Sequence, residues 1–461
     1  MSSALRIPRI VISATGSGVG KTTATVAILG ALRARGLRVA SFKCGPDYLD
    51  PTYHARVLGK PSQNLDSWMM GREALLSTFA RASEGADIAV AEGMMGLFDG
   101  VAADRDEGST AEIAKWLGAP VLLVHDASGI ARTIAAVAQG FARFDPALRV
   151  AGLICNKVGS RGHLDLLIRA QPEVPILGGF PSNPDLAFPE RHLGLIHADR
   201  ETVPDRLIAE WTRLAAEWLD LDAIIKVARS APALEVPANL DSSDTRRARC
   251  RIGIAYDDAF HFYYEDNLRR LEELGADLIR FSPTRDAAPP EVDGLYFGGG
   301  YPEVMARELS ANSSMLEAIR RFAREGHPVY AECGGLMYLS EGIRTLDGTR
   351  WPMAALLPGM AVMSDRLQAL GYVEVETQAP TILGAAGLRF RGHQFRYSTL
   401  EPTGSELRAD QAYSVAPRWG AAFQEGFRAG NVLGTYVHAH WASNPRAAEG
   451  FVDSCETSRR R

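Results

Sequence analysis

The sequence predicts an α/β protein of two domains, the first built on a doubly wound, mostly parallel sheet. Three observations carry this. Short runs rich in Val, Ile and Leu alternate with helical stretches, and a glycine-rich loop follows the first run. The alternation then breaks near residues 228–250 and starts afresh. At 461 residues the chain also exceeds a single ordinary core.

Strands are expected at 9–14 (RIVISA), 37–43 (LRVASFK), 88–93 (IAVAEG), 120–126 (PVLLVHD), 150–158 (VAGLICNKV) and 174–180 (VPILGGF). Their apolar runs suit parallel strands covered on both faces, with helices such as 21–35 as crossovers. Ligands of such sheets bind beyond the carboxyl ends of the strands. Prolines, small polar residues and a charge cluster mark 231–250 as a linker between a first domain at 1–230 and a second at 251–448. The second domain opens with RIGIAYDDAF and continues through ADLIRFSP, GLYFGGG, HPVYAEC, YVEVET and NVLGTYVHAH. Residues 449–461 are expected to be a frayed tail.

Composition narrows the function. A net charge of -5 with no basic field argues against a nucleic-acid partner. No uninterrupted apolar run reaches the length of a membrane span, and the opening residues lead straight into a strand without a signal peptide. Cys44, Cys155, Cys250, Cys333 and Cys455 are scattered without CxxC spacing, as expected of reduced thiols in the cytoplasm.

The stretch SATGSGVGKTT sets a glycine loop between the first strand and first helix. Glycines let backbone N–H groups converge on an anion, and the helix N-terminus adds partial positive charge. Gly16, Gly18, Gly20, Lys21, Thr22 and Thr23 are therefore the expected nucleotide-binding residues, with the Thr22 hydroxyl placed to reach Mg²⁺. Thr15 stands where the usual pattern begins with Gly or Ala.

KCGPDYLDPTYH and AEGMMGLFDG end on the same sheet edge and bring Asp47, Asp50, Glu92 and Asp99 toward the loop. Carboxylate oxygens suit Mg²⁺; the competing reading is that these acids are turn formers. Asn156 and Lys157 are candidates for the adenine edge.

In the second domain, VYAECGGLMYL places Cys333 at the end of an apolar strand and follows it with Gly334 and Gly335. A nucleophile on a strand-to-helix turn needs small neighbours, and a helix N-terminus favours thiolate. Gly334 and one glycine of 298–300, with Gly299 chosen, would donate N–H groups to an oxyanion. His438 is the expected base; His438 and His440 on one strand also admit a metal site, and Cys333 an inert core position. Cys44 and Cys155 fit the inert role better.

TGSGVGKTT, KCGPDYLDP, AEGMMGLFDG, LYFGGGYPE, AECGGLMYL and TYVHAHW, in that order, resemble the cobyrinic acid a,c-diamide synthase family over nearly the whole chain. The resemblance implies a dethiobiotin-synthetase-like P-loop domain and a class I glutamine-amidotransferase-like domain. It implies ATP and Mg²⁺, and glutamine-dependent amidation of corrin carboxylates through acyl phosphates. It makes Cys333 the nucleophile and His438 its activator, assigns Thr22, Asp47 and Glu92 to the metal, and Asp50 and Asp99 to the substrate side. The expected partners are glutamine, ATP and a tetrapyrrole polycarboxylic acid, with room for a homodimer.

Two departures stand out. His440 occupies the place where ordinary class I glutaminases have Glu, and RGHQFRYS carries Gln394 and Arg396 where the family segment has Glu and His. Hydrogenobyrinic acid and nickel-sirohydrochlorin are alternative substrates. A nucleotide-switch ATPase with a non-catalytic amidotransferase-like module is the rival from another class. Gly16, in place of that group's signature lysine, argues against it.

Overall fold

The computed structural model describes residues 2–183, 190–191, 194–195, 197–199, 201–237, 248–404 and 410–460. The chain forms two compact units, Met1–Asp241 and Ser242–Arg461.

In the first unit seven strands lie in the order Gln63–Leu65, Val39–Cys44, Ile88–Glu92, Arg9–Ala14, Val121–Asp126, Val150–Val158 and Ile176–Pro181. Every pairing is parallel. The strands Arg9–Ala14, Val39–Cys44 and Ile88–Glu92 are buried along their whole length, which is why their sequences run apolar rather than alternate. The helix Lys21–Ala34 leaves the first central strand and buries Val26, Ile28, Leu29 and Leu32 in the core.

The linker expectation needs correction. Leu234–Pro237 forms an antiparallel pair with Ser2–Leu5, so this stretch belongs to the first unit. Cys250 already lies in the first strand of the second unit. Only 238–247 of the expected linker lies outside the described residues.

The second unit carries a ten-stranded mixed sheet. Ala276–Phe281, Cys250–Ala255, Gly294–Phe297, Val329–Glu332 and Val432–Thr435 are parallel neighbours in that order. Phe423–Ala429, Asp410–Pro417, Ala369–Thr377, Arg389–Arg396 and His438–His440 continue it antiparallel. Thr435 and His438 are thus three residues apart in sequence, yet four strands stand between their own strands in the sheet. The sheet curls back on itself, bringing the Phe395 carbonyl to 4.0 Å from the Cys333 sulfur.

The expected C-terminal tail is a helix. Arg446–Arg459 buries Ala447, Ala448, Phe451, Val452 and Cys455 against the sheet. Those positions fall on one helical stripe, and their burial outweighs the fraying tendency of a chain end.

Candidate active site

In the first unit the glycine loop is held from beneath. Gly20 adopts φ 92°, and a β-carbon there would lie 2.0 Å from Asn156 Nδ2. Only glycine meets both demands. Asn156, expected at the adenine edge, donates Nδ2–H to the Val19 carbonyl (2.8 Å) and so braces the loop. Lys157 pairs with Asp126 (2.7 Å). Gly16 and Gly18 lie in the loop itself, and Thr23 in the first helical turn. Lys21 reaches the Met95 carbonyl (3.4 Å); burial, then the nearby Lys43 charge, lowers its pKa.

Beyond Lys21 the carboxylates converge. The Thr22 hydroxyl donates to Glu92 Oε1 (2.8 Å) and lies 3.3 Å from Asp50 Oδ2. At their centre sits a residue the sequence reading passed over. Lys43 is 1% exposed, and its Nζ contacts Asp50 (2.5 Å), Glu92 (3.1 Å), the Gly93 carbonyl (2.9 Å) and, more distantly, Asp47 (4.0 Å). Burial opposes its charge, but Asp50 and Glu92 outweigh that and raise its pKa. Glu92 is likewise held ionised against burial by Lys43 and by His54 Nε2 (2.7 Å), whose Nδ1 meets Ser62 Oγ (3.1 Å). Burial and then the Asp47 charge push Asp50 up. The signal for Lys43 was a lone lysine inside an apolar strand, two residues before the GPD turn.

Asp47 and Asp99 are also turn formers. Asp47 Oδ1 accepts from the Leu49 and Asp50 amides (2.8 and 3.1 Å), opening the helix Asp50–Leu58. Asp99 Oδ2 accepts from the Gly96 amide (2.9 Å), in a turn where a β-carbon on Gly96 would approach Gly16 Cα at 3.5 Å. The acids lie near the loop, and two of them shape its neighbouring turns. Thr22 and Glu92, with Asp47 near the same cluster, offer hard oxygens suited to Mg²⁺. No group of three or more His, Cys, Asp or Glu among the described residues forms a metal cage.

In the second unit Cys333 caps the helix Gly334–Leu339 at φ 45°, ψ -100°, a strained conformation for a non-glycine residue. The Gly334 amide addresses its sulfur. The 298–300 turn packs against it: the Gly335 amide donates to the Gly298 carbonyl (3.0 Å), and a β-carbon on Gly334 would lie 3.0 Å from Gly300 N. A β-carbon on Gly299 would lie 2.4 Å from His438 Cε1, so the imidazole sits directly on that turn. The Cys333 amide donates to the Thr435 carbonyl (2.7 Å), tying the elbow to the strand that leads to His438. Cys333, Gly334, Gly299 and His438 are thereby gathered in one place.

The expectation of a thiolate is corrected. Burial pushes the Cys333 thiol up to about 12 and His438 down to about 3, outweighing the six-residue helix behind the sulfur. Both shifts favour the neutral thiol and the neutral imidazole.

The RGHQFRYS segment packs on His438. His393 is the register partner of His438, and the two rings stack at 5.0 Å and 21°. The Tyr264 hydroxyl holds His393 Nδ1 at 3.0 Å. Gln394 is buried in the same strand, and Arg396 donates to the Ser398 carbonyl (2.5 Å) with its guanidinium 4.5 Å from the Tyr436 ring centre. His440 Nδ1 accepts from the Ala442 amide (3.3 Å), and burial lowers its pKa to about 4.

A P-loop over a carboxylate cluster, together with a cysteine elbow facing a strand-end histidine, defines a two-unit glutamine amidotransferase with a nucleotide-binding half. Residues 10–196 match the CobQ/CobB/MinD/ParA nucleotide binding domain, and 251–446 the CobB/CobQ-like glutamine amidotransferase domain. The cobyrinate a,c-diamide synthase of Leptospira interrogans is 52% identical, covering 98% of this chain and 99% of its own length. Those of Syntrophotalea carbinolica (45%; 97% and 98%) and Priestia megaterium (39%; 98% and 98%) are also similar. The chain belongs to the cobyrinate a,c-diamide synthase family.

Proposed function

We propose that the protein is a glutamine-hydrolysing, ATP-dependent ligase that amidates the a and c carboxylates of cobyrinic acid in cobalamin biosynthesis. The observation that carries this reading is the strained turn at Cys333, which sets a thiol against the Gly334 amide beside a turn that touches His438.

Cys333 Sγ attacks the side-chain amide carbon of glutamine as His438 takes the thiol proton. The Gly299 and Gly334 amides receive the developing oxyanion. His438 returns the proton to the departing nitrogen, releasing ammonia, and water then cleaves the thioester to glutamate. In the other unit a substrate carboxylate oxygen attacks the γ-phosphorus of ATP, giving acyl phosphate and ADP. Ammonia displaces the phosphate and forms the amide. Gly16, Gly18, Gly20 and Lys21 cradle the phosphates; Thr23 and Asn156 complete the loop, and Asp50 and Asp99 face the substrate. Thr22 and Glu92, with Asp47 beside them, would hold Mg²⁺, which neutralises phosphate charge when bound. The reading places the protein in the cytoplasm and allows a homodimer. No helix among the described residues is long and apolar enough to cross a membrane.

The test is incubation with Mg·ATP, glutamine and cobyrinic acid, hydrogenobyrinic acid or nickel-sirohydrochlorin, with amides counted by mass spectrometry. Two amides on cobyrinic acid are expected. Amides confined to another ring would move the substrate assignment, and none on any ring would remove the ligase reading.

A further inference from the structure

The carboxylate that steadies the base belongs to the nucleophile's own strand. Glu332 immediately precedes Cys333 and is 1% exposed. Its Oε1 accepts from the Ala439 amide (3.1 Å), and Ala439 immediately follows His438. The other face of the same residue is gripped as well: Asn267, also 1% exposed, donates Nδ2–H to the Ala439 carbonyl (2.7 Å). Its Oδ1 accepts from the Trp441 amide (2.9 Å). The Tyr330 and Tyr296 hydroxyls fix Glu332 by donating to Oε1 (2.9 Å) and Oε2 (3.1 Å).

We propose that Glu332 and Asn267 are positioning residues for glutamine hydrolysis, clamping Ala439 so that His438 is held in register with the Cys333 thiol. In this chain His440 stands where a carboxylate two residues beyond the base would be expected. The clamp acts on the backbone beside His438, so its loss shifts the imidazole rather than changing its chemistry. Small misplacements of a base are costly because proton transfer needs hydrogen-bond reach. Removing Glu332 strips a buried amide of its acceptor, whereas glutamine at this position keeps an oxygen for Ala439 and Tyr330 and turns an amide toward the Tyr296 oxygen. The inference rests on Cys333 and His438 being the hydrolytic pair.

The experiment compares Glu332→Ala, Glu332→Gln, Asn267→Ala and Cys333→Ala in the full chain, with glutamine and then with ammonium chloride as nitrogen source. Glu332→Ala and Asn267→Ala are each expected to lower glutamine-dependent kcat about 10- to 100-fold with little change in KM for glutamine. Ammonia-dependent amidation stays at its wild-type rate, and Glu332→Gln keeps glutamine turnover within about threefold of wild type. A folded Glu332→Ala protein with wild-type glutamine turnover, or one that loses both nitrogen sources equally, would overturn the clamp. If Glu332→Ala does not fold, Asn267→Ala decides by the same comparison. Undiminished hydrolysis in Cys333→Ala would instead overturn the nucleophile assignment beneath it.

Discussion

The Lys43 ammonium lies 2.5 Å from the Asp50 carboxylate, both of them buried. With Glu92 on its other side, this lysine supplies the positive charge that lets two carboxylates remain in a water-poor pocket beside the glycine loop. Lys43→Met, similar in length but neutral, leaves those acids uncompensated and is expected to lower stability by about 3–5 kcal/mol, read from urea unfolding of the full chain. An unchanged midpoint would show that the acids do not need this cation.

Gly20 and Asn156 form a second coupled pair. Gly20→Ala introduces both a clash with Asn156 and a left-handed alanine, and is expected to weaken ATP binding measured by calorimetry. Adding Asn156→Ala relieves the clash but not the backbone strain of about 1 kcal/mol. The double variant should therefore recover only part of the affinity; full recovery would mean the backbone conformation is immaterial.

Burial pushes both Glu332 and Glu425 up from 4.5 to about 7. A carboxyl whose folded pKa is raised favours the folded state most below its unfolded value, and that contribution is lost as pH rises through the folded one. The second unit's melting temperature is therefore expected to fall between pH 4.5 and pH 7 through these groups. Glu425→Gln removes one titration, and its gain in melting temperature over wild type should be larger at pH 8 than at pH 5. Equal gains would refute the shift.

With the Cys333 thiol near 12, iodoacetamide labelling of this site is expected to be slow at neutral pH. Its rate should keep climbing through pH 9 without a plateau. A plateau near pH 6 would reveal a preformed thiolate.

Ending the chain after Asn444 removes Phe451, Val452 and Cys455 from the core, each 0% exposed. Phe451 and Val452 alone bury apolar area worth about 1.5–3 kcal/mol apiece. The truncated protein is expected to lose its cooperative melting transition or to aggregate. A normal melt would mean that the helix Arg446–Arg459 is dispensable.

Much of this was legible in the sequence where one physical signal dominated. RIVISA and VAGLICNKV appear as strands with the expected bounds, because a parallel strand covered on both faces is largely an apolar run. The glycine loop, the Cys333 elbow and His438 were legible because each demands particular residue types in particular places. Lys43 was missed because a buried cation is recognised by its partners, and those lie 7 and 49 residues away. The strands Asp410–Pro417 and Phe423–Ala429 carry mixed polar and apolar residues, a weaker signal than an apolar run. The final helix was readable from the spacing of Ala448, Val452 and Cys455, but its position at the chain end suggested disorder instead.

The short step from Thr435 to His438 has a consequence for the order of assembly. Its near end is pinned beside Cys333, whose amide donates to the Thr435 carbonyl (2.7 Å), and its far end pairs with His393 in the antiparallel part of the sheet. The strand pairing at His438 is therefore complete only once both halves of the sheet are in place.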